Sequence, residues 1–227
     1  MMALFPASNK DKYCNFINQK KNHLYKTLQF LLSYPPKHHQ NHNRQQLIDV
    51  MKSYPLATVI SINNHEPVIT HLPLIYEAGK LIGHLDKNNP HANLLKNDLP
   101  VTLIFSGPQC YISPSIYTTT QLPTWNYIKV QITGRAKEIT NPETIKQSMV
   151  AMTEFLEAPM HKYVLDMNND KMEQFIPYVV GFEIEILSWE GKFKLSQDKK
   201  PQDIENAKAE LIRANQENIK AFLDRIV

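Results

Sequence analysis

Lys87 stands between a short apolar run, Gly83-His84-Leu85, and the pair Asn89-Pro90. Asparagine followed by proline reads as a helix cap and first helical residue. The free N–H groups of a helix start attract anions, and a lysine adds a full charge, so this stretch reads as a seat for a phosphate. It also reads as an ordinary strand-to-helix turn with its lysine in solvent. Trp125-Asn126-Tyr127 offers different chemistry. A flat aromatic can cover one side of a planar ligand, and an amide can pair with the ligand's polar edge. The plainer reading is a core tryptophan with a buried asparagine satisfying a loop backbone.

His71 and His84 fall on adjacent expected strands, where a lone histidine is usually a hydrogen-bonded core residue. His38-His39 with His42 has the spacing of a metal clip. Pro35-Pro36 precedes it and no acid accompanies it, so it reads as an exposed turn and no metal is expected. No Gly-x-Gly-x-x-Gly opens a helix, and six glycines leave no P-loop or nucleophile elbow.

These residues need a frame. Asn43, with Gln46 three residues on, predicts a capping box and a helix whose Leu47, Ile48 and Met51 share one face. Tyr54-Pro55 ends it. Leu56–Ile62, 67–76, Leu81–Leu85 and Val101–Phe105 read as strands, joined at turns by Asn63-Asn64 and Glu77-Ala78-Gly79-Lys80. A helix is expected from Asn89-Pro90 to about Asn97. Tyr127–Ile139 is the longest alternating run, with a bulge expected at Gly134. Asn141-Pro142 opens a helix to about Leu156, and a short helix is expected at Asp170–Phe175. Val180–Leu187, then Phe193 and Leu195, continue the β pattern. Pro201 opens a last helix that buries Ile204, Ala207 and Leu211, with Ile219, Phe222 and Leu223 further along. Tight turns with helices between strands predict a mainly β, α+β fold built on an antiparallel barrel.

The chain has 227 residues, 42% hydrophobic and 21% charged, with a net charge of +3. That suits a globular protein with a core and is less lopsided than a surface built for nucleic acid. Helices lie apart, separated by strands, and none carries a dense basic face, so no helix-turn-helix is read. Cys14 and Cys110 are too scattered for a redox pair or zinc ribbon and suit a reducing compartment. No stretch approaches the roughly 18 apolar residues of a membrane span, and no signal segment is evident, so a cytoplasmic protein is expected. Residues 1–33 are rich in Lys, Asn and Gln. Leu24, Leu28 and Leu31 at helical spacing are their main apolar pattern. They read as a loosely packed extension, followed by a domain over 34–210 and the end of a helix over 211–227.

Six segments, taken in order, resemble the PaiB family of FMN-binding negative transcriptional regulators. They are Thr70-His71-Leu72-Pro73-Leu74, Gly83-His84-Leu85 with Asn89-Pro90, and Ser106-Gly107-Pro108 running into Tyr111-Ile112-Ser113-Pro114-Ser115. Then come Pro123-Thr124-Trp125-Asn126-Tyr127, Gly181–Ile186, and Gly191–Gln197. The resemblance implies an FMN-binding split β-barrel decorated with helices, a homodimer with flavin at its interface, and repression of transcription. DNA is a partner by resemblance only, since neither charge nor motif supports it.

The resemblance also implies a cofactor site of His71, Leu72, Pro73, His84, Lys87, Asn89, Trp125, Asn126, Lys194, Ser196 and Gln197. Lys194 and Gln197 would pair with the flavin's carbonyl oxygens; alternatively they are solvent-facing groups at a strand end. Lys87 stands where relatives carry arginine, keeping the charge without the bidentate fork. Asp86 replaces an alanine beside it, and Gln131 stands where a histidine is expected. No catalytic residue is read, and flavin acts as ligand or redox sensor. Two alternatives stay open: a flavin-dependent oxidoreductase on the same fold, or a split barrel that has lost flavin and works through its surface.

Overall fold

The computed structural model describes residues 34–216. The chain divides after His38, and the unit from His39 onward holds every strand and α-helix described. Leu24, Leu28 and Leu31, Cys14, and Ile219, Phe222 and Leu223 lie outside the described residues.

Eight strands are described: β1 Gln40–Asn41, β2 Leu56–Asn63, β3 Glu66–Pro73, β4 Ile75–Glu77, β5 Lys80–Asp86, β6 Leu99–Ile112, β7 Thr124–Ile139 and β8 Val179–Lys194. They form one antiparallel sheet in the order β3-β2-β6-β7-β8-β5-β4, with β1 pairing to β8. The tight turns follow from backbone sign. Asn64 and His65 (φ 49° and 69°) and Ala78 and Gly79 (φ 48° and 87°) take the two positive-φ positions that a two-residue hairpin demands. The sheet curls so that β3 lies beside β5 without pairing to it, which leaves a split. Leu81, Leu103, Phe105, Ile132, Phe182 and Ile184 fill the interior, each fully buried.

The α-helices are α1 Arg44–Ser53, α2 Pro142–Glu157, α3 Asp170–Phe175 and α4 Pro201–Gln216. Asn43 caps α1 by accepting from Gln46 N at 3.3 Å, and Leu47, Ile48 and Met51 are buried. The reciprocal half of the expected capping box is not made. Gln46 Oε1 instead accepts from Asn41, and Asn43 N donates to Asn41 Oδ1. Helix α2 closes on β8 at Gly181, where an added Cβ would sit 2.9 Å from Ile145 Cγ1. Helix α4 covers a second, smaller core of Cys110, Ile112, Ala207 and Leu211.

Two expected elements differ. The strand expected over 67–76 breaks at Leu74, whose N–H donates to Pro55 O at 3.0 Å. Pro73 has no N–H to continue the ladder, so β3 pairs with β2 while β4 turns to pair with β5. The helix expected over 89–97 is only a 3-10 turn, Pro90–Asn93. His71 and His84 therefore sit on strands that face each other across the split rather than on paired neighbours. The expected bulge at Gly134 is present as a register shift between Thr133 and Gly134. A Cβ at Gly134 would fall 2.5 Å from Glu185 O.

Candidate functional site

The ends of β7 and β8 build one polar pocket. Strand alternation turns Asn126 inward, 1% exposed, while Trp125 on its other face is 49% exposed. Ser196 turns the chain just past β8 with φ 64°, and its hydroxyl lies 3.1 Å from Asn126 Nδ2 and 2.8 Å from the Tyr117 hydroxyl. Lys194 Nζ donates to Thr124 Oγ1 at 2.6 Å. Thr124, Asn126, Lys194 and Ser196, with Gln121 and Lys199, line a cavity of about 330 Å³.

The loop over this pocket is held from behind. Asp203, in the first turn of α4 and buried, accepts from Thr118 N at 2.6 Å, Thr118 Oγ1 at 2.8 Å and Thr119 Oγ1 at 2.9 Å. The Thr118 backbone bond, helped by the two hydroxyls, holds its carboxyl below the usual range. Asp203 escapes the sequence reading because an acid in a helix's first turn signals only a helix start.

The outer sheet face beside the pocket continues the site. The Trp125 ring leans on Tyr111 with centroids 6.4 Å apart. Next along β7, Tyr127 lies opposite Lys194, Lys129 opposite Lys192, and Gln131 opposite Glu190. Lys129 Nζ donates to Ser106 Oγ at 2.7 Å, and burial pushes its pKa down. Lys192 Nζ sits 5.4 Å from the Tyr127 ring centre.

The remaining expected residues gather at the split. Asn89 Oδ1 accepts from His91 N at 2.9 Å and from Thr70 Oγ1 at 3.2 Å. Thr70 Oγ1 also lies 2.7 Å from His91 Nδ1. The three bonds close together if Nδ1 carries the His91 proton and Thr70 donates to Asn89. This network ties β3 to the 3-10 turn that follows β5. His91 is fully buried and, among the described residues, neither its Nε2 nor the buried His84 Nδ1 has a hydrogen-bond partner. Burial lowers both pKa values.

His84 lies opposite Gly181 and so shares the sheet face that α2 covers. Lys87 Nζ donates to Pro177 O at 3.0 Å and sits 4.3 Å from the Tyr178 ring centre. His71 is exposed and 3.2 Å from Thr58 Oγ1, Leu72 points into the core, and Pro73 ends β3.

The structure thus brings Trp125, Asn126, Lys194 and Ser196 to one end. Gln197 lies beside them but folds back, accepting from Leu195 N and donating to Phe193 O. His71, Leu72, Pro73, His84, Lys87 and Asn89 are elsewhere. Along β8, the partner of His84 is Gly181 and the pocket residue is Lys194; that interval is about 40 Å of strand contour. Lys129, Ser106 and Tyr117 are additions that strand alternation alone marks only as outward or loop residues. Among the described residues no group of three or more His, Cys, Asp or Glu is placed to hold a metal, and no helix is long and apolar enough to cross a membrane.

Comparison with known proteins gives this geometry a context. A family model described as "Putative FMN-binding domain" matches residues 33–188. "Protease synthase and sporulation protein PAI 2" of Bacillus subtilis is 27% identical over 193 residues, covering 83% of this chain and 92% of that one. Among solved structures, the FAD and heme binding protein from Mycobacterium smegmatis superposes with a TM-score of 0.59 at 18% identity. It covers 74% of this chain and 79% of that one. The flavocytochrome Anf3 from Azotobacter vinelandii gives 0.54 at 16%, covering 73% and 74%. At these identities the structures establish the split-barrel fold.

Proposed function

This chain belongs to the family described as "Putative FMN-binding domain", and from that premise we propose that it binds FMN between two copies of itself and acts as a PaiB-type negative regulator of transcription. One observation carries the reading. The residues suited to a flavin fall into two groups at different places on one chain, and a second copy would complete each site.

The ring end of the ligand fits the β7–β8 pocket. Lys194 would donate to a carbonyl oxygen of the ring, and the buried Asn126 amide, fixed by Ser196 and Tyr117, would pair with its polar edge. Trp125, half-exposed on the opposite sheet face, packs against Tyr111 and does not line the pocket. Asp203 would keep the covering loop in place without touching the ligand. His71, exposed on β3, would supply part of the other half from a second copy. Bound flavin contributes a reversible electron-pair couple of its own, which suits a redox-sensing ligand.

A split barrel without flavin is the second reading. It is favoured by the phosphate end, where Asn89 caps its own turn and Lys87 is engaged with Pro177 and Tyr178. The visible spectrum of purified protein, before and after adding FMN, separates the two. The first reading predicts flavin bands that survive gel filtration; a colourless protein after FMN addition overturns it. NAD(P)H oxidation by the loaded protein then distinguishes sensor from oxidoreductase, and slow, non-catalytic oxidation is expected.

A further inference from the structure

The ladder between β2 and β6 stops early. It runs from Ala57 opposite Phe105 to Ile60 opposite Thr102, and the next residues of β6 toward its start are Val101 and Pro100. Proline has no N–H to carry the ladder on. On the other side of β6, the register shift between Thr133 and Gly134 leaves Leu187 of β8 without a partner on β7. A cavity of about 320 Å³ lies between these two irregularities, walled mainly by Ile60, Ile62, Leu94, Leu99, Val101 and Leu187. Ile62 and Leu187 are 63% and 57% exposed, so apolar surface stands open around it. Ser61 also lines it and is 4% exposed, and its Oγ has no hydrogen-bond partner among the described residues. Buried hydroxyls are rarely left so. One cation borders this space. Arg135 lines the cavity and donates to Asp98 O at 2.9 Å. The acid opposite it on β8 is Glu185, but Lys137 pairs with that carboxylate at 3.5 Å and with the Asp98 carboxylate at 3.8 Å. Glu183 is held by Lys80 at 2.8 Å. No ion pair among the described residues includes Arg135.

We propose that this cavity binds a small monocarboxylic acid with an apolar body, its carboxylate on Arg135 and its body against Ile62, Val101 and Leu187. Ligand pockets are typically concave, mostly apolar and supplied with a few polar groups that fix orientation, and this one has that composition. The planar guanidinium fork matches a carboxylate, and a bond between two charged groups is among the stronger hydrogen bonds. A single cation beside apolar walls suits a monoanion better than a phosphate dianion. The site is distinct from the β7–β8 pocket: from Asn126 of that pocket to Thr133 of this one is about 23 Å of strand contour. It stands on its own geometry and does not require the flavin reading.

Calorimetric titration of the full chain with octanoate, and with octanol as its uncharged analogue, tests this. Octanoate should bind saturably, one per chain, and octanol about tenfold or more weakly, the loss of a charge-assisted bond. Arg135→Met should weaken octanoate by a similar factor and leave octanol unchanged, so the preference for the acid disappears. Leu187→Asp, at an exposed position that folding should tolerate, places a like charge beside the carboxylate and should abolish octanoate binding. Saturating FMN should leave the octanoate isotherm as it is. A native chain that does not bind octanoate overturns the proposal. So does an Arg135→Met variant that still prefers the acid. Displacement of octanoate by FMN would make the cavity part of a flavin site and overturn it too. Sedimentation of the native chain and Leu187→Asp covers the remaining occupant: a native dimer that Leu187→Asp splits, with no octanoate bound, would assign the cavity to a second copy instead.

Discussion

The split between β3 and β5 and the open end of β7 and β8 are both rich in polar side chains, yet they use them differently. At the split, Thr70, Asn89 and His91 bond to one another and join two strands that share no ladder. At the open end, Asn126, Ser196 and Tyr117 form a comparable network, but it holds a cavity wall where Lys194 bonds the Thr124 hydroxyl. The first network closes the fold. The second holds a cavity wall. A polar residue in a family segment can therefore belong to either group, and only its partners tell which.

Exchanging the two roles by mutation tests that contrast. Lys194→Ala should weaken FMN binding by about 1.5–3 kcal/mol, the range for a lost charged hydrogen bond. Flavin-free stability should stay within about 0.5 kcal/mol, as for most surface changes. Fluorescence titration and urea denaturation read the two effects, and a stability loss with unchanged affinity would reverse the assignment. Thr70→Val should do the opposite. It removes a partner of both His91 and Asn89, so stability should fall by about 1–3 kcal/mol while FMN affinity of the folded protein holds. Urea denaturation with FMN titration below the transition checks it.

Acid should weaken the split before the open end. Burial lowers the pKa values of His84 and His91, so both are neutral in the folded protein where the unfolded chain begins to take up protons. Their contribution is intact above the ordinary histidine value of about 6.5 and is lost as pH falls from there through the lowered values. Asp203 contributes in a separate window, since its lowered pKa keeps its bonds until pH falls below the ordinary carboxylate range. Urea midpoints between about pH 8 and pH 5 should decline in native protein. The decline should shrink in His91→Gln; an identical decline would exclude His91 as a source.

A smaller effect is expected at Lys87. Its ammonium already bonds Pro177 O and lies over Tyr178, and exposed charges of this kind contribute about 0–1 kcal/mol. Lys87→Ala should change FMN affinity by no more than that in fluorescence titration. A loss of 2 kcal/mol or more would restore the 3-10 turn as the phosphate seat. Smallest of all should be intrinsic preference for a DNA sequence. With a net charge of +3, any binding should be weak and strongly salt-dependent, and specific and scrambled duplexes should behave alike in anisotropy titrations.

Much of the frame was legible in the chain. Asn141-Pro142 opens α2, Asn169 precedes α3 at Asp170–Phe175, and the alternation of Phe182, Ile184 and Ile186 marks β8. These signals are local, so nearby residues suffice to read them. The break at Leu74 was not legible, because it depends on a bond to Pro55 supplied by a distant turn. The 3-10 turn at Pro90–Asn93 was not either, since Asn89-Pro90 starts a long or a short helix with the same cap.

The site divides in the same way. Asn126, Lys194 and Ser196 lie in segments that resemble the PaiB family, and the fold does gather them. Gln197 lies in the same segment, but its amide folds back onto the backbone of its own turn. Lys129 was invisible because a lysine on an alternating strand reads as solvated until Ser106 is found bonded to it.

The central claim is that flavin is held between two chains, with the β7–β8 end of each facing the split region of the other. Sedimentation velocity of the FMN-loaded protein, followed in the flavin band across a dilution series, tests it most directly. Flavin should travel with a species of twice the chain mass and dissociate together with that species on dilution. Flavin sedimenting with a single chain at undiminished affinity would contradict the shared site.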